Sequence, residues 1–197
     1  MTDVLFPVFG FVSGSIPCSY LAARLFAGKD VRREGSGNVG ATNVFRVAGR
    51  AAGIAAAAGD VLKSLLPVLA ARLAGIPPPW QALTAAAVIA GHCYSPFLKF
   101  RGGKGVASAV TVSLVLCWPS ALAFGLVWLG VFRARGYSSL ASLLASLALP
   151  LTSALVRADA STTVFFSLTA LFVLFKHRSN VRRLLDGTES RMRKTGR

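Results

Sequence analysis

Residues 106–132 read VASAVTVSLVLCWPSALAFGLVWLGVF, with no charged side chain and one proline, Pro119, near the middle. How this run is divided decides the fold. As one helix it places Lys99, Arg101 and Lys104 at one end and Arg133 and Arg135 at the other. As two helices turning near Trp118 and Pro119, it brings both basic clusters to the same side. Proline removes a backbone donor and crowds the preceding turn. Two helices are therefore expected, each short for a membrane crossing and packed with little tilt or in a locally thin region.

Working outward, five further apolar blocks emerge at about 4–27, 51–73, 81–98, 139–156 and 161–175. Crossing a bilayer takes roughly 20 apolar residues as a helix. The chain is 54% hydrophobic and only 15% charged, against about 25% charged in soluble domains. Its mean hydropathy is +0.60. The fold class that follows is an all-α membrane protein with seven transmembrane helices, some of them short, in one domain over residues 1–197. Asp3 and the lack of a basic stretch ahead of the first block point to a spanning helix rather than a cleaved signal peptide.

Charge sets the orientation. Lys and Arg number 22 against 7 Asp and Glu, a net charge of +15. With the N-terminus outside, only Arg72 and Arg157 fall on the outer side, and Lys63 lies within a helix. The other basic residues, Arg24 at a helix end among them, are then cytoplasmic, as is the C-terminus. A six-helix arrangement splits this charge. Nucleic acid as a partner is excluded by the hydrophobic blocks, although the charge alone would permit it. Cys18, Cys93 and Cys117 lie in apolar stretches without metal-type spacing and are expected as free thiols.

The inner segments hold the polar chemistry. Residues 34–46 read EGSGNVGATNVFR. Small residues let backbone N–H groups approach an anion; Ser36, Asn38, Thr42 and Asn43 add neutral polar groups, and Arg46 a bidentate fork. A plain linker has no need of two Asn, a Thr and a terminal Arg. Residues 91–107 read GHCYSPFLKFRGGKGVA, where Gly102, Gly103 and Gly105 frame Lys104 and His92 sits at a helix end. This resembles a phosphate cradle without the Walker spacing. Residues 133–142, RARGYSSLAS, are weaker evidence: Arg135 and Tyr137 suit interface anchors, and Ser139 and Ser142 suit helix packing as well as a site. The tail from Lys176 reads KHRSNVRRLLDGTE to Glu189; His177 and Asn180 share a helix face, while Arg178, Arg182 and Arg183 suit anchoring. Asp60 and Lys63 share a face of the second block and are expected to pair. The common theme is a phosphorylated substrate at one membrane face.

Four of these segments in order, residues 35–46, 91–107, 136–142 and 177–189, resemble the acyl-phosphate-dependent glycerol-3-phosphate acyltransferases of bacteria over nearly the whole chain. The resemblance implies seven helices, a multi-pass protein of the bacterial plasma membrane, an active site at its cytoplasmic face, and the first acylation step of phosphatidic acid and phospholipid synthesis. It implies fatty acyl phosphate as donor, sn-glycerol 3-phosphate as acceptor, lysophosphatidic acid and phosphate as products, membrane lipids as surroundings, and no cofactor or metal. Departures are small: Arg101 for a common Lys, Ser64 for a common Gly, and variable Val39 and Cys93.

Carried over residue by residue, the resemblance makes Ser36, Asn38, Arg46, His92 and Lys104 the reaction centre. Ser36, Arg46, Lys104, His177 and Asn180 would hold glycerol 3-phosphate. The backbone N–H groups of Gly40, Ala41, Thr42, Gly102 and Gly103 would cradle the acyl phosphate. Asn43, Ser142 and Glu189 fall in the same motifs as substrate-binding residues. The base is left between His92 and the substrate's own phosphate. An acyl-CoA enzyme of the H(x4)D type is disfavoured, because the fifth residue after His92 is Phe97 and after His177 is Arg182. A transporter would show inverted repeats and broken midplane helices; no such repeat is visible.

Overall fold

The computed structural model describes residues 2–192. Helices α1 (Leu5–Ser15), α2 (Cys18–Ala27), α3 (Ala41–Leu73), α4 (Pro78–Cys93) and α5 (Val106–Leu116) precede α6 (Trp118–Arg135), α7 (Ser138–Leu155), α8 (Ala160–Lys176) and α9 (Arg178–Leu185). No strand occurs among the described residues. The chain divides into two compact units after Leu116.

The run at 106–132 breaks where its proline predicts. α5 ends at Leu116, Cys117 is extended (φ −158°, ψ 85°), and Pro119 sits in the first turn of α6, where a missing N–H has no partner to lose. Three other boundaries differ from the sequence reading. The first block is split at Ile16 and Pro17, because Pro17 has no N–H to continue the ladder. The second helix begins ten residues before the expected start at Ala51: residues 41–48 are helical and meet the rest of α3 at Gly49, whose φ of 85° makes the kink. The third ends at Cys93, followed by a separate short turn, Pro96–Leu98.

In the first unit, α1 packs on α4 and α2 on α3. Small residues set the spacing. A Cβ on Gly14 would lie 2.3 Å from the Val88 carbonyl oxygen, and one on Gly91 would lie 2.3 Å from that of Phe11. Backbones this close are typical of helices that meet in lipid, where apolar side chains gain nothing from burial against one another. In the second unit, α7 packs against α6 and α8. Trp128 Nε1 donates to Ser142 Oγ at 3.2 Å, and Asp159 caps α8 by accepting from Thr162 N at 2.9 Å.

Burial runs opposite to a soluble protein. Leu25, Leu73 and Leu155 are 81%, 79% and 82% exposed, while Ser19, Ser64, Ser108 and Ser146 are buried. A large apolar exterior over a serine- and alanine-lined interior is stable only where hydrocarbon is the solvent. By length and hydropathy alone, Leu5–Ala27, Ala41–Leu73 and Ser138–Leu155 suffice to cross a membrane. Ala160–Lys176 and Arg178–Leu185, bent by 57° at their junction, make a fourth if taken together.

Candidate active site

The loop from Gly28 to Gly40 is tied down by two side chains. Asp30 takes Arg32 on both oxygens, Nε at 2.9 Å and a terminal nitrogen at 2.7 Å, with Arg24 at 3.5 Å. The hydrogen bonds from Arg32 hold the Asp30 carboxyl far below the usual carboxylate range. Arg32 also lies over the Tyr20 ring, 4.8 Å from its centre, so it is a loop clasp as well as a positive charge. Buried Asn43 is the second tie. Its Nδ2 donates to the Val31 and Glu34 carbonyls, both at 3.0 Å; its Oδ1 accepts from the Ser36 amide at 3.0 Å and from Arg46 at 3.3 Å. Gly35, at φ +61°, passes so close that a Cβ would stand 2.4 Å from Asn43 Oδ1. Asn43 thus brings Ser36 and Arg46 together. Both amide hydrogens and the amide oxygen of Asn43 are engaged within the protein.

The second segment folds back onto the end of α4. The N–H groups of Gly102 and Gly103 donate to the carbonyls of Cys93 and His92, each at 3.1 Å. A Cβ on Gly102 would lie 2.1 Å from the His92 carbonyl oxygen. One on Gly103 would lie 2.1 Å from His92 Nε2 and 2.9 Å from the Val39 carbonyl oxygen. Only glycine fits, and Gly103 is where the first loop, the end of α4 and the turn before Lys104 meet. These two amides were expected to cradle phosphate. They are instead bonded within the protein and hold the turn. Gly40 is the residue before α3, and Ala41 and Thr42 open its first turn.

Beneath this turn lies a buried ionic cluster that the sequence pairing of Asp60 with Lys63 only partly anticipates. Lys63 Nζ is 2.9 Å from Asp60 Oδ1 and donates to the Ile16 carbonyl at 2.8 Å, at the break between α1 and α2. Ser19 donates to Asp60 Oδ2 at 2.7 Å. His92 Nδ1 faces Asp60 Oδ1 at 3.8 Å.

The second unit carries its own polar cluster, built around Glu189. Its Oε1 accepts from Ser139 at 2.6 Å and Asn180 at 2.7 Å; its Oε2 accepts from Arg183 at 2.7 Å. Burial pushes this carboxyl up, but the three hydrogen bonds outweigh it and leave it below its ordinary value. The Met192 amide donates to the Gly136 carbonyl, and Arg191 donates to the Tyr137 hydroxyl at 2.9 Å, so residues 186–192 form a strap. Glu189 is therefore the hydrogen-bond partner of Asn180 in this cluster. Ser142 accepts from Trp128 and donates to the Ser138 carbonyl at 2.8 Å, which is helix packing. His177 stands at the bend between α8 and α9, with Nδ1 2.8 Å from the Val173 carbonyl oxygen.

Residues 4–187 match the family model described as glycerol-3-phosphate acyltransferase. The chain belongs to this family. A glycerol-3-phosphate acyltransferase of Geobacter sulfurreducens is 42% identical over 193 residues, covering 98% of this chain and 99% of its own. One from Nitrobacter winogradskyi is 45% identical over 184 residues, 93% of each. Among solved structures, the glycerol 3-phosphate form of PlsY, an integral membrane glycerol 3-phosphate acyltransferase, superposes with a TM-score of 0.92 at 35% identity. It covers 98% of this chain and 96% of that one. Its lysophosphatidic acid form gives 0.88. The apolar exterior thus belongs to a membrane-embedded acyltransferase fold.

Proposed function

We propose that this chain transfers a fatty acyl group from acyl phosphate to sn-glycerol 3-phosphate, giving 1-acyl-glycerol 3-phosphate and inorganic phosphate. The observation that carries the proposal is the meeting at Gly103, which sets Lys104 beside the loop that presents Ser36 and Asn38, with Arg46 of α3 held to that loop through Asn43. Two cations and a helix N-terminus in one unit suit two anionic substrates whose mutual repulsion must be overcome. PlsY has been solved with glycerol 3-phosphate and with lysophosphatidic acid, an acceptor and product of this kind.

In the reaction, the acceptor's hydroxyl oxygen attacks the acyl carbonyl carbon. The bond from that carbon to the phosphate oxygen breaks, and phosphate leaves with the electron pair. The donor is already activated, so no covalent enzyme intermediate is required. Arg46 and Lys104 stabilise charge on the phosphates and the leaving group; Ser36 and Asn38 orient the acceptor. The N–H groups at the start of α3, from Gly40 to Thr42, receive the acyl phosphate head. His177 and Asn180 keep the acceptor-holding role given by their motif, supported within their own unit by the order that Glu189 imposes on Asn180. Asn43, Gly102, Gly103, Ser142 and Glu189 act as positioning residues. The attacking proton goes to His92 or to the substrate's phosphate; full activity of purified His92→Ala would assign it to the phosphate.

The setting we propose is a seven-span protein of the bacterial plasma membrane, one catalytic domain over its length, N-terminus outside and active site cytoplasmic. There it performs the first acylation of phosphatidic acid synthesis. Reporter fusions on the two termini check the topology, which needs them on opposite sides. Detergent-purified protein given acyl phosphate and glycerol 3-phosphate is expected to release phosphate. Turnover with acyl-CoA and none with acyl phosphate would reverse the donor.

A further inference from the structure

Asp60 and Lys63 account for one another as an ion pair, yet the pair does not account for where it sits. Asp60 is 1% exposed and Lys63 6%. A buried pair of this kind is often no more stable than an apolar pair of the same volume, because desolvation offsets the attraction. Stability alone therefore gives no reason for a carboxylate here. Its surroundings do. Of its two oxygens, Oδ2 is fixed by Ser19, and Oδ1 lies between Lys63 Nζ at 2.9 Å and His92 Nδ1 at 3.8 Å. The same groups line a small cavity with about 10 Å³ of free space, shared with Cys18, Ser95 and Gly103. That is near the least that admits one water.

The other face of the ring is committed as well. His92 Nε2 occupies the place a Cβ on Gly103 would take, and the His92 carbonyl accepts the Gly103 amide. The line therefore runs from Asp60 Oδ1 to His92 Nδ1, through the ring to Nε2, and on to the glycine turn that presents Lys104.

We propose that Asp60 is a positioning residue of the acyltransferase site. Its carboxylate keeps the His92 proton on Nδ1, so that Nε2, packed against Gly103, is the unprotonated nitrogen. Lys63 pairs with Asp60 at 2.9 Å and, through the Ile16 carbonyl, ties it to the break between α1 and α2. A carboxylate behind a functional imidazole fixes tautomer and ring orientation in this way elsewhere in proteins. The proposal rests on reading the Gly103 junction as part of the reaction centre, but it holds whether His92 or the substrate phosphate takes the proton.

The test is spectroscopic first. The chain has two histidines, so nitrogen NMR of the histidine-labelled protein in lipid bilayers shows two rings, and His177→Gln identifies the other. Wild-type His92 is expected to carry its proton on Nδ1; a proton on Nε2 in the wild type overturns the proposal with no variant needed. In Asp60→Leu/Lys63→Met, which removes both charges together, the ring is expected to lose that preference. There kcat should fall roughly 10–100-fold while KM for glycerol 3-phosphate moves by less than about threefold. Asp60→Asn, which keeps the volume, should lie between. A double variant with wild-type kcat, or an unchanged His92 ring in both variants, reduces Asp60 to a structural ion. The NMR signature uses no substrate. A wrong donor assignment would instead appear as wild-type protein failing to release phosphate from acyl phosphate.

Discussion

Each unit gathers its polar residues around one buried side chain, but the two hubs differ in kind. In the first, the neutral amide of Asn43 ties the loop to Ser36 and Arg46. In the second, the carboxylate of Glu189 ties the strap to Ser139, Asn180 and Arg183. An amide offers two donors and an acceptor whatever the pH. A carboxylate accepts strongly only while ionised. In the proposed reaction two cations face phosphates, and there a neutral hub adds no competing charge. Where the neighbour is an amide side chain, an anion can orient it and take Arg183 as counterion.

The largest effects should come from the two cations of the first unit, Lys104 and Arg46. Lys104→Ala is expected to lower kcat about 10²–10³-fold in the phosphate-release assay. Arg46→Ala should do similarly, with part of its loss in KM for glycerol 3-phosphate. Equal, small losses at both would mean that the first hub serves folding only. Next comes Gly103→Ala, whose Cβ meets His92 Nε2 and the Val39 carbonyl; overpacking should cost about 1–3 kcal/mol in thermal unfolding, with activity falling further than stability. Asn43→Ala leaves the Ser36 amide and two carbonyls without their partner, about 1–3 kcal/mol, and should raise KM through Arg46.

Glu189→Gln should be the mildest, weakening acceptor binding roughly three- to tenfold, one charge-assisted hydrogen bond discounted for solvent exposure. Its pH signature is the sharper measurement. The folded carboxyl lies below its ordinary value, so its contribution to the strap is complete at neutral pH and is lost as pH falls through the folded value. Hydrogen exchange at residues 186–192 should rise in mild acid and do so less in Glu189→Gln. The loop around Asn43 should hold through the same window, because its one deeply paired carboxylate, Asp30, is kept far lower by Arg32.

The sequence carried the features that local chemistry settles. Pro119 broke the long run because a missing N–H acts on its own turn. The split at Pro17 obeys the same rule but is masked by continuous hydropathy on both sides, so the first block reads as one helix. The motif residues were legible because glycine, asparagine and cations rarely gather in apolar chains without a job. Which of them face substrate was not. Asn43, Ser142 and Glu189 look like ligands in a string of letters, and so do the amides of Gly102 and Gly103. Only folding shows their hydrogen bonds already made to Val31, Trp128, Asn180, Cys93 and His92.

By itself, then, the chain determined its helices, its apolar exterior and the chemical class of its polar loops, since propensity, hydropathy and proline act over a few residues. Tertiary structure alone decided the division of labour. Asp60 meets His92 across 32 positions, and Gly103 meets Val39 across 64, because α3 and α4 and their loops pack at distances that no spacing encodes.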